Sequence, residues 1–341
     1  MKLRTLVLAA ALTVLSVQSA MAGGLVGYNK IDVPAGSDAL FTVAFTEAAD
    51  SSYTVSSVTG SGVTVADALS VDAFADTYYV RFTSGSGEGL WSTIDSNSAS
   101  EFVLTDTGIL SHVSAGDTFA VFPHATLETL FPDELKGISF EATPPPGIFL
   151  KTVILVPDTT SVGVNKATAA TYYYLNGEWR KFGQPPTSVF NDVVIPPQVY
   201  TTLRNGGASP LEFFTLGKVS DLKIARILST ESSTNDIPVG SGFPVPVTLK
   251  QLNLGGTPAF QSTPPPGIFV KDQLLVFDNS VPGVNKSASA TYFYYNGAWR
   301  KFGQPLTQSF DDEVLDPSAA ILIRKAGGTP ASTVWTQPSP I

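Results

Sequence analysis

Hydrophobic and polar residues alternate in short runs along this chain, and the clearest run occurs twice. Residues 171–184 read TYYYLNGEWRKFGQ, and residues 291–304 read TYFYYNGAWRKFGQ. Aromatic residues favour strands, and Asn-Gly accepts the positive φ angles of a type I′ turn. The pattern therefore predicts, in each copy, a β-hairpin with a two-residue loop.

One face of this predicted hairpin is the same in both copies. Since side chains alternate between faces, it carries two tyrosines, a tryptophan and a lysine: Tyr172, Tyr174, Trp179 and Lys181, then Tyr292, Tyr294, Trp299 and Lys301. One interpretation is that the face packs on a core. The other is a sugar-stacking platform, in which these four tyrosines and two tryptophans are the candidate ligand-binding residues.

The duplication extends beyond the hairpin. Residues 143–185 and 263–305 align without a gap and share 28 of 43 positions. Weaker similarities, including a strand-plus-glycine-turn pattern at residues 77–89, 199–207 and 320–328, predict three related modules. The predicted organisation is a signal peptide over 1–22, a diverged N-terminal module over 23–136, a first repeat over 137–256 and a second over 257–341.

The predicted fold class is all-β, with sandwich- or barrel-like modules built on Asn-Gly hairpins. Gly, Pro, Asn, Asp and Ser separate most of the short apolar runs, as turn residues do. Residues 126–135 are the one stretch with a helical pattern, and Pro132 limits it.

The first 22 residues have the features of a secretory signal peptide: a basic start, a short apolar run and Ala-Met-Ala before Gly23. Its removal leaves 18 basic against 29 acidic residues, a net charge of −11. Nucleic acids and anionic membranes attract basic surfaces, so neither is an expected partner. No apolar run is long enough for a membrane helix. We expect an exported protein without disulfides, since there is no cysteine.

The sequence contains no catalytic or cofactor motif. His112 and His124 are the only histidines, too few for a zinc site without carboxylates. Asp158 and Asp278 occupy equivalent repeat positions, where the default expectation is that they cap turns. A calcium site needs about six oxygen ligands, and no calcium-loop motif is present. We therefore expect neither a metal nor a cofactor.

Several motifs together resemble a known group of sequences. They are the signal peptide, Pro-Ala-Gly-Ser-Asp at 34–38, Thr-Leu-Glu-Thr-Leu-Phe-Pro at 126–132, and the paired Gly-Val-Asn-Lys and Asn-Gly-x-Trp-Arg-Lys segments. This combination resembles an uncharacterised family of exported proteins from the Verrucomicrobia and related bacteria. The resemblance covers nearly the whole mature chain. It implies export but no activity, and it transfers no functional residue.

The sequence thus predicts an exported, non-enzymatic structural or surface-binding protein. The partners considered are glycans and other copies of the chain. A carbohydrate-binding module using the hairpin faces is one alternative. A polysaccharide-active hydrolase is another, which would require two carboxyl groups roughly 5–10 Å apart across one bond.

Overall fold

The computed structural model describes residues 25–131, 142–144, 147 and 150–341. The signal-peptide prediction lies outside these residues. The described chain is almost entirely β, which confirms the predicted fold class. It forms two copies of one β unit and a separate domain inserted into the first copy.

The first repeat begins with two strands and resumes after the inserted domain. Its strands and one helical turn are β1 (Val26–Val33), β2 (Ser37–Thr42) and, after the insertion, β10 (Ala125–Thr126), α1 (Leu127–Leu130), β11 (Val153–Pro157), β12 (Thr168–Leu175), β13 (Glu178–Lys181), β14 (Val194–Ile195), β15 (Tyr200–Asn205) and β16 (Leu211–Lys218). Thr126 caps α1 through its side chain. The helical stretch predicted over 126–135 therefore exists as a single turn at its start, and residues 132–135 lie outside the described residues.

The inserted domain contains a seven-stranded antiparallel sheet and a 3₁₀ helix over Thr107–His112. Its strands are β3 (Ser51–Thr54), β4 (Ser57–Val58), β5 (Gly62–Thr64), β6 (Tyr78–Phe82), β7 (Trp91–Asn97), β8 (Glu101–Leu104) and β9 (Thr118–Pro123). Phe82, Phe102 and Phe119 fill its core. The strand order, β3-β9-β6-β7-β8-β5-β4, is not that of the repeats.

The second repeat follows without an insertion. Its strands are β17 (Ile224–Thr230), β18 (Asn235–Gly240), β19 (Val247–Thr248), β20 (Gln273–Val276), β21 (Ala290–Tyr295), β22 (Ala298–Lys301), β23 (Val314–Leu315), β24 (Ala320–Lys325) and β25 (Ala331–Gln337). Residues 241–246 join β18 to β19, whereas the whole inserted domain joins β2 to β10.

The two repeats have the same topology. The sheet order β13-β12-β11-β15-β2 in the first matches β22-β21-β20-β24-β18 in the second. In both, a long two-stranded ribbon accompanies this sheet: β1 pairs with β16, and β17 pairs with β25. The predicted hairpin register is also confirmed, because Tyr174 pairs with Trp179 and Tyr294 with Trp299.

This topology corrects the predicted domain boundaries and the idea of a diverged third module. Strands β1 and β2, assigned to an N-terminal module, complete the first repeat by pairing with β16 and β15. Strands β17 and β18, assigned to the first repeat, belong to the second. The predicted boundaries placed the start of each unit close to its most similar segment, although three strands of each unit precede that point.

Candidate functional site

The hairpin faces predicted to stack on sugars lie in the cores of the repeats. Trp179 is 2% exposed and Trp299 is 1% exposed, and Tyr172 and Tyr292 are buried beside them. The remaining pair, Tyr174 and Tyr294, is half-buried, with each ring meeting its tryptophan edge-on at 5.4 and 5.6 Å. These six rings offer no open platform, because the ribbon of each repeat covers that side of the sheet.

The duplicated Gly-Val-Asn-Lys segments hold the two repeats together. In the second repeat, Gly283 accepts from the Asp38 amide through its main-chain oxygen at 2.9 Å, and the Asn285 amide donates to the Asp38 carboxylate at 2.6 Å. The first repeat makes the two equivalent contacts to the second. The main-chain oxygen of Gly163 accepts from the Asp236 amide at 2.8 Å, and the Asn165 amide donates to the Asp236 carboxylate at 2.7 Å.

An arginine completes each half of this arrangement, which we call the reciprocal clasp. Arg204 binds Asp38 through two N–H groups, at 2.7 and 2.9 Å, and also donates to the Asn285 side chain. Arg324 binds Asp236 and Asn165 in the same way. The two carboxylates are almost fully buried, and the guanidinium groups remain partly open to solvent. Bidentate pairs of this kind fix geometry as well as adding energy.

The clasp implies an approximate two-fold axis between the repeats, since every contact recurs with the repeats exchanged. A second pair of contacts obeys the same relationship: the Thr42 amide donates to Ser318 O and the Gly240 amide to Gln198 O. Both acceptor residues have positive φ, 57° and 62°. The two repeats are therefore arranged as an isologous dimer would be, within one chain.

A cleft of about 480 Å³ lies on this axis, and we call it the axial cleft. Equivalent residues from both repeats line it. Leu155 and Leu275 are among its apolar walls, and Tyr200 meets Phe277 across the interface with ring centroids 5.9 Å apart. Its basic side chains are Lys166, Lys286, Arg204 and Arg324.

A larger cleft of about 890 Å³, the lateral cleft, lies between β1–β2 of the first repeat and the second repeat. Its polar lining includes Asn29, Asp32, Asp278, Asn279, Glu313 and Asp316. Tyr28 lies at its edge and is 69% exposed, with its ring 5.9 Å from that of Phe214. Asn279, in the wall of the lateral cleft, bonds both main-chain polar groups of Leu40, a residue that lines both clefts.

The lateral cleft is a feature of one side of the axis. The residues equivalent to Asn29 and Ala320 on the other side are Arg226 and Tyr200, which are much larger. Arg226 is half-buried and donates to Gln198 O and Pro238 O. Burial lowers its pKa to about 10. The inserted domain covers the neighbouring ribbon by packing against Ala225, Ile227 and Val334.

One ionisable group of the lateral cleft, Glu313, is bound by neighbouring side chains. It accepts from the Tyr292 hydroxyl at 2.7 Å and lies 3.6 Å from the Lys301 ammonium. Burial and this hydrogen bond raise the pKa of Tyr292. Lys301 also lies over the Tyr292 ring at 5.4 Å. These contacts fix the position of the Glu313 carboxylate in the wall of the cleft.

The other candidate ionisable residues have local partners. Asp158 accepts from Thr160 and Ser161, and Asp278 from Ser280, so both cap turns as expected. His124 is buried, with Nε2 3.0 Å from Thr93 Oγ1. In the part of the chain that the structure describes, no three acidic or histidine side chains converge to hold a metal ion.

No protein-family model, curated protein or solved structure matches the chain. Among the described residues, no helix has the length and apolar character required to cross a bilayer. Sequence reasoning missed the clasp residues Asp38, Asp236, Arg204 and Arg324. The available signal was the arginine that precedes Asn-Gly-Gly and Lys-Ala-Gly-Gly at equivalent positions of β15 and β24.

Proposed function

We propose that this is an exported, non-enzymatic binding protein that takes a glycan at the lateral cleft. The observation that carries the proposal is the exposed Tyr28 ring at the edge of a cleft lined by carboxylates and side-chain amides. An aromatic face gives apolar contact to a sugar ring, and the amides and carboxylates accept and donate hydrogen bonds to hydroxyl groups.

The charge of the lateral cleft determines which class of glycan suits it. Its acidic side chains, Asp32, Asp278, Glu313 and Asp316, outnumber its two lysines, Lys30 and Lys301. A neutral polysaccharide therefore suits it better than a uronic-acid or sulfated one, which the carboxylates would repel.

A glycan-array screen of the purified exported protein, followed by calorimetry on the best neutral glycan, tests the proposal. Tyr28→Ala should weaken binding by about 3- to 10-fold, the value of one aromatic contact. Phe182→Ala is the matched control, because Phe182 is 65% exposed on the β12–β13 hairpin and outside both clefts. No glycan binding, or equal loss in both variants, would contradict the proposal.

A second candidate function, self-assembly as a structural component, is favoured by the outer face of the β1–β16 ribbon. Tyr28, Phe214 and Leu216 are exposed at its centre. Lys218 lies at one end, and Asp32 and Glu212 lie opposite each other at the other end, where Lys30 forms ion pairs with both. With two carboxylates and one ammonium that end is acidic, so two such faces stacked antiparallel would place Lys218 of each copy beside the acidic end of the other.

A substitution of Leu216 distinguishes the two candidate functions, because this residue lies on the ribbon but does not line the lateral cleft. If the protein self-assembles, Leu216→Ser should shift a sizing profile toward monomer and leave glycan affinity unchanged. A wild-type protein that is monomeric at micromolar concentration in both low and high salt would remove the self-assembly candidate.

A further inference from the structure

We propose that the axial cleft is a second binding site, specific for a small dianion whose two anionic groups are joined by an apolar segment, such as an aliphatic dicarboxylate. This site is separate from the lateral cleft and does not depend on the glycan proposal. It is formed equally by the two repeats, so its ligand should share their approximate two-fold symmetry.

The basic groups that would receive the anions are Lys166 and Lys286. Each occupies the fourth position of its Gly-Val-Asn-Lys segment and lines the axial cleft. The Lys166 ammonium donates to Ser161 O at 2.9 Å, and the Lys286 ammonium donates to Asp278 O and Asn279 O, both at 3.1 Å. An ammonium has three N–H donors, so both retain capacity for a ligand.

The carboxylates near these lysines are already occupied. Asp38 and Asp236 are bound by the two arginines of the clasp and by main-chain amides. Asp158 accepts from Thr160 and Ser161. None of the three carboxylates forms an ion pair with Lys166 or Lys286 within the described residues. Burial lowers the pKa of both lysines, an effect that nearby carboxylates partly offset: Asp158 and Asp236 for Lys166, and Asp278 and Asp38 for Lys286.

The lining of the axial cleft also includes apolar side chains from both repeats. Leu155 and Leu275 occupy equivalent positions, and Leu40, Pro238 and Leu322 add to the same surface. A volume of about 480 Å³ lies within the range typical of small-molecule sites. Apolar walls favour a hydrocarbon spacer, and an ammonium from each repeat favours an anion at either end.

Calorimetric titration of the intact protein with aliphatic dicarboxylates of four to ten carbons tests the proposal without any substitution. The fixed separation of the two lysines predicts an optimum at one chain length. The monocarboxylate of that length should bind at least about tenfold more weakly, because it can engage only one ammonium. Flat dependence on length, or equal binding of mono- and dicarboxylate, would overturn the proposal.

Substitution of the two lysines is a second test of the proposal. Lys166→Met and Lys286→Met keep the aliphatic stem and should each weaken the best dicarboxylate by about tenfold, to a similar extent. Lys250→Met, at an exposed lysine outside the cleft, is the control and should have no effect. Thermal unfolding of each variant verifies folding. Unchanged affinity in folded Lys166→Met and Lys286→Met proteins would refute a two-lysine site.

Discussion

The main-chain amide of Asn285, in the second repeat, donates a 2.6 Å hydrogen bond to the carboxylate of Asp38, in the first. The equivalent bond joins Asn165 to Asp236 in the opposite direction. The most similar segment of the two repeats therefore contributes directly to the contact between them. This relationship explains why the Gly-Val-Asn-Lys segment is identical in both copies.

Asp38→Ala should lower the free energy of unfolding by about 2–3 kcal/mol, because it leaves the Arg204 guanidinium and the Asn285 amide without their acceptor. Asp236→Ala should have a similar effect. Urea unfolding monitored by tryptophan fluorescence measures both. The control is Asp32→Ala, whose carboxylate is 67% exposed and 2.9 Å from Lys30. That surface pair should contribute less than about 1 kcal/mol, and equal losses in all three variants would contradict this role for the clasp.

Local structure could be predicted from the sequence wherever neighbouring residues determine it. The Asn-Gly turn and the alternation of aromatic residues gave the correct partners for Tyr174 and Tyr294. The contact between β2 and β15 could not be predicted, because the inserted domain separates them and neither strand has a distinguishing pattern. Duplication indicated two similar units, but it contained no information on how one unit contacts the other.

The same limit applies to the candidate site. The sequence left two interpretations of the hairpin aromatics, core packing and sugar stacking, because Tyr and Trp occur both in cores and at sugar sites. Burial decides between these roles, and it depends on which strands cover the hairpin. The exposed tyrosine ring at the lateral cleft is Tyr28 on β1, in an ordinary alternating strand with no distinguishing motif.

A second prediction concerns Asp272 and Lys325, which form a completely buried ion pair in the second repeat. Lys325 also donates to Ala259 O at 2.7 Å, and Asp272 accepts from the amides of Gln261 and Ala326. Asp272→Thr alone should cost about 3–5 kcal/mol, because it leaves a buried ammonium without a counter-ion.

The first repeat provides the matched control for this pair. It has neutral Thr152 and Asn205 at the equivalent positions, so the fold does not require the charges. In a double-mutant cycle, the combined change Asp272→Thr and Lys325→Asn should lower the free energy of unfolding by less than the sum of the two single changes. The difference should be about 2 kcal/mol or more. Additive losses by chemical unfolding would show that the two side chains act independently.

A third prediction concerns pH. Burial lowers the pKa of His124 to about 4, from an ordinary value near 6.5. The unfolded chain therefore binds the proton more readily, and the stability due to neutral His124 is complete above about pH 6.5. It should be lost as the pH falls toward 4, by about 2–3 kcal/mol at pH 4.5. Urea unfolding at a series of pH values between 7 and 4.5 measures this loss.

The control for this pH dependence is His124→Phe. The His124 ring lies 4.7 Å from the Tyr79 ring and near Trp91, so a phenyl ring suits the apolar part of the site. The variant loses the hydrogen bond to Thr93 and should be less stable at pH 7. Its stability should nevertheless change little between pH 6.5 and 4.5. An unaltered pH slope in this variant would assign the titration to other groups.

The last prediction separates the two roles considered for the hairpin aromatics. Trp179 packs against Phe131 with ring centroids 5.6 Å apart and lines neither the axial nor the lateral cleft. Trp179→Ala should therefore cost about 3–5 kcal/mol of stability through lost burial and an internal cavity. Measured at a temperature where the variant remains folded, its affinity for the glycan bound by wild type should stay within about twofold, because Tyr28 is unaffected. Loss of glycan binding with stability preserved would instead return the ligand to the hairpin face.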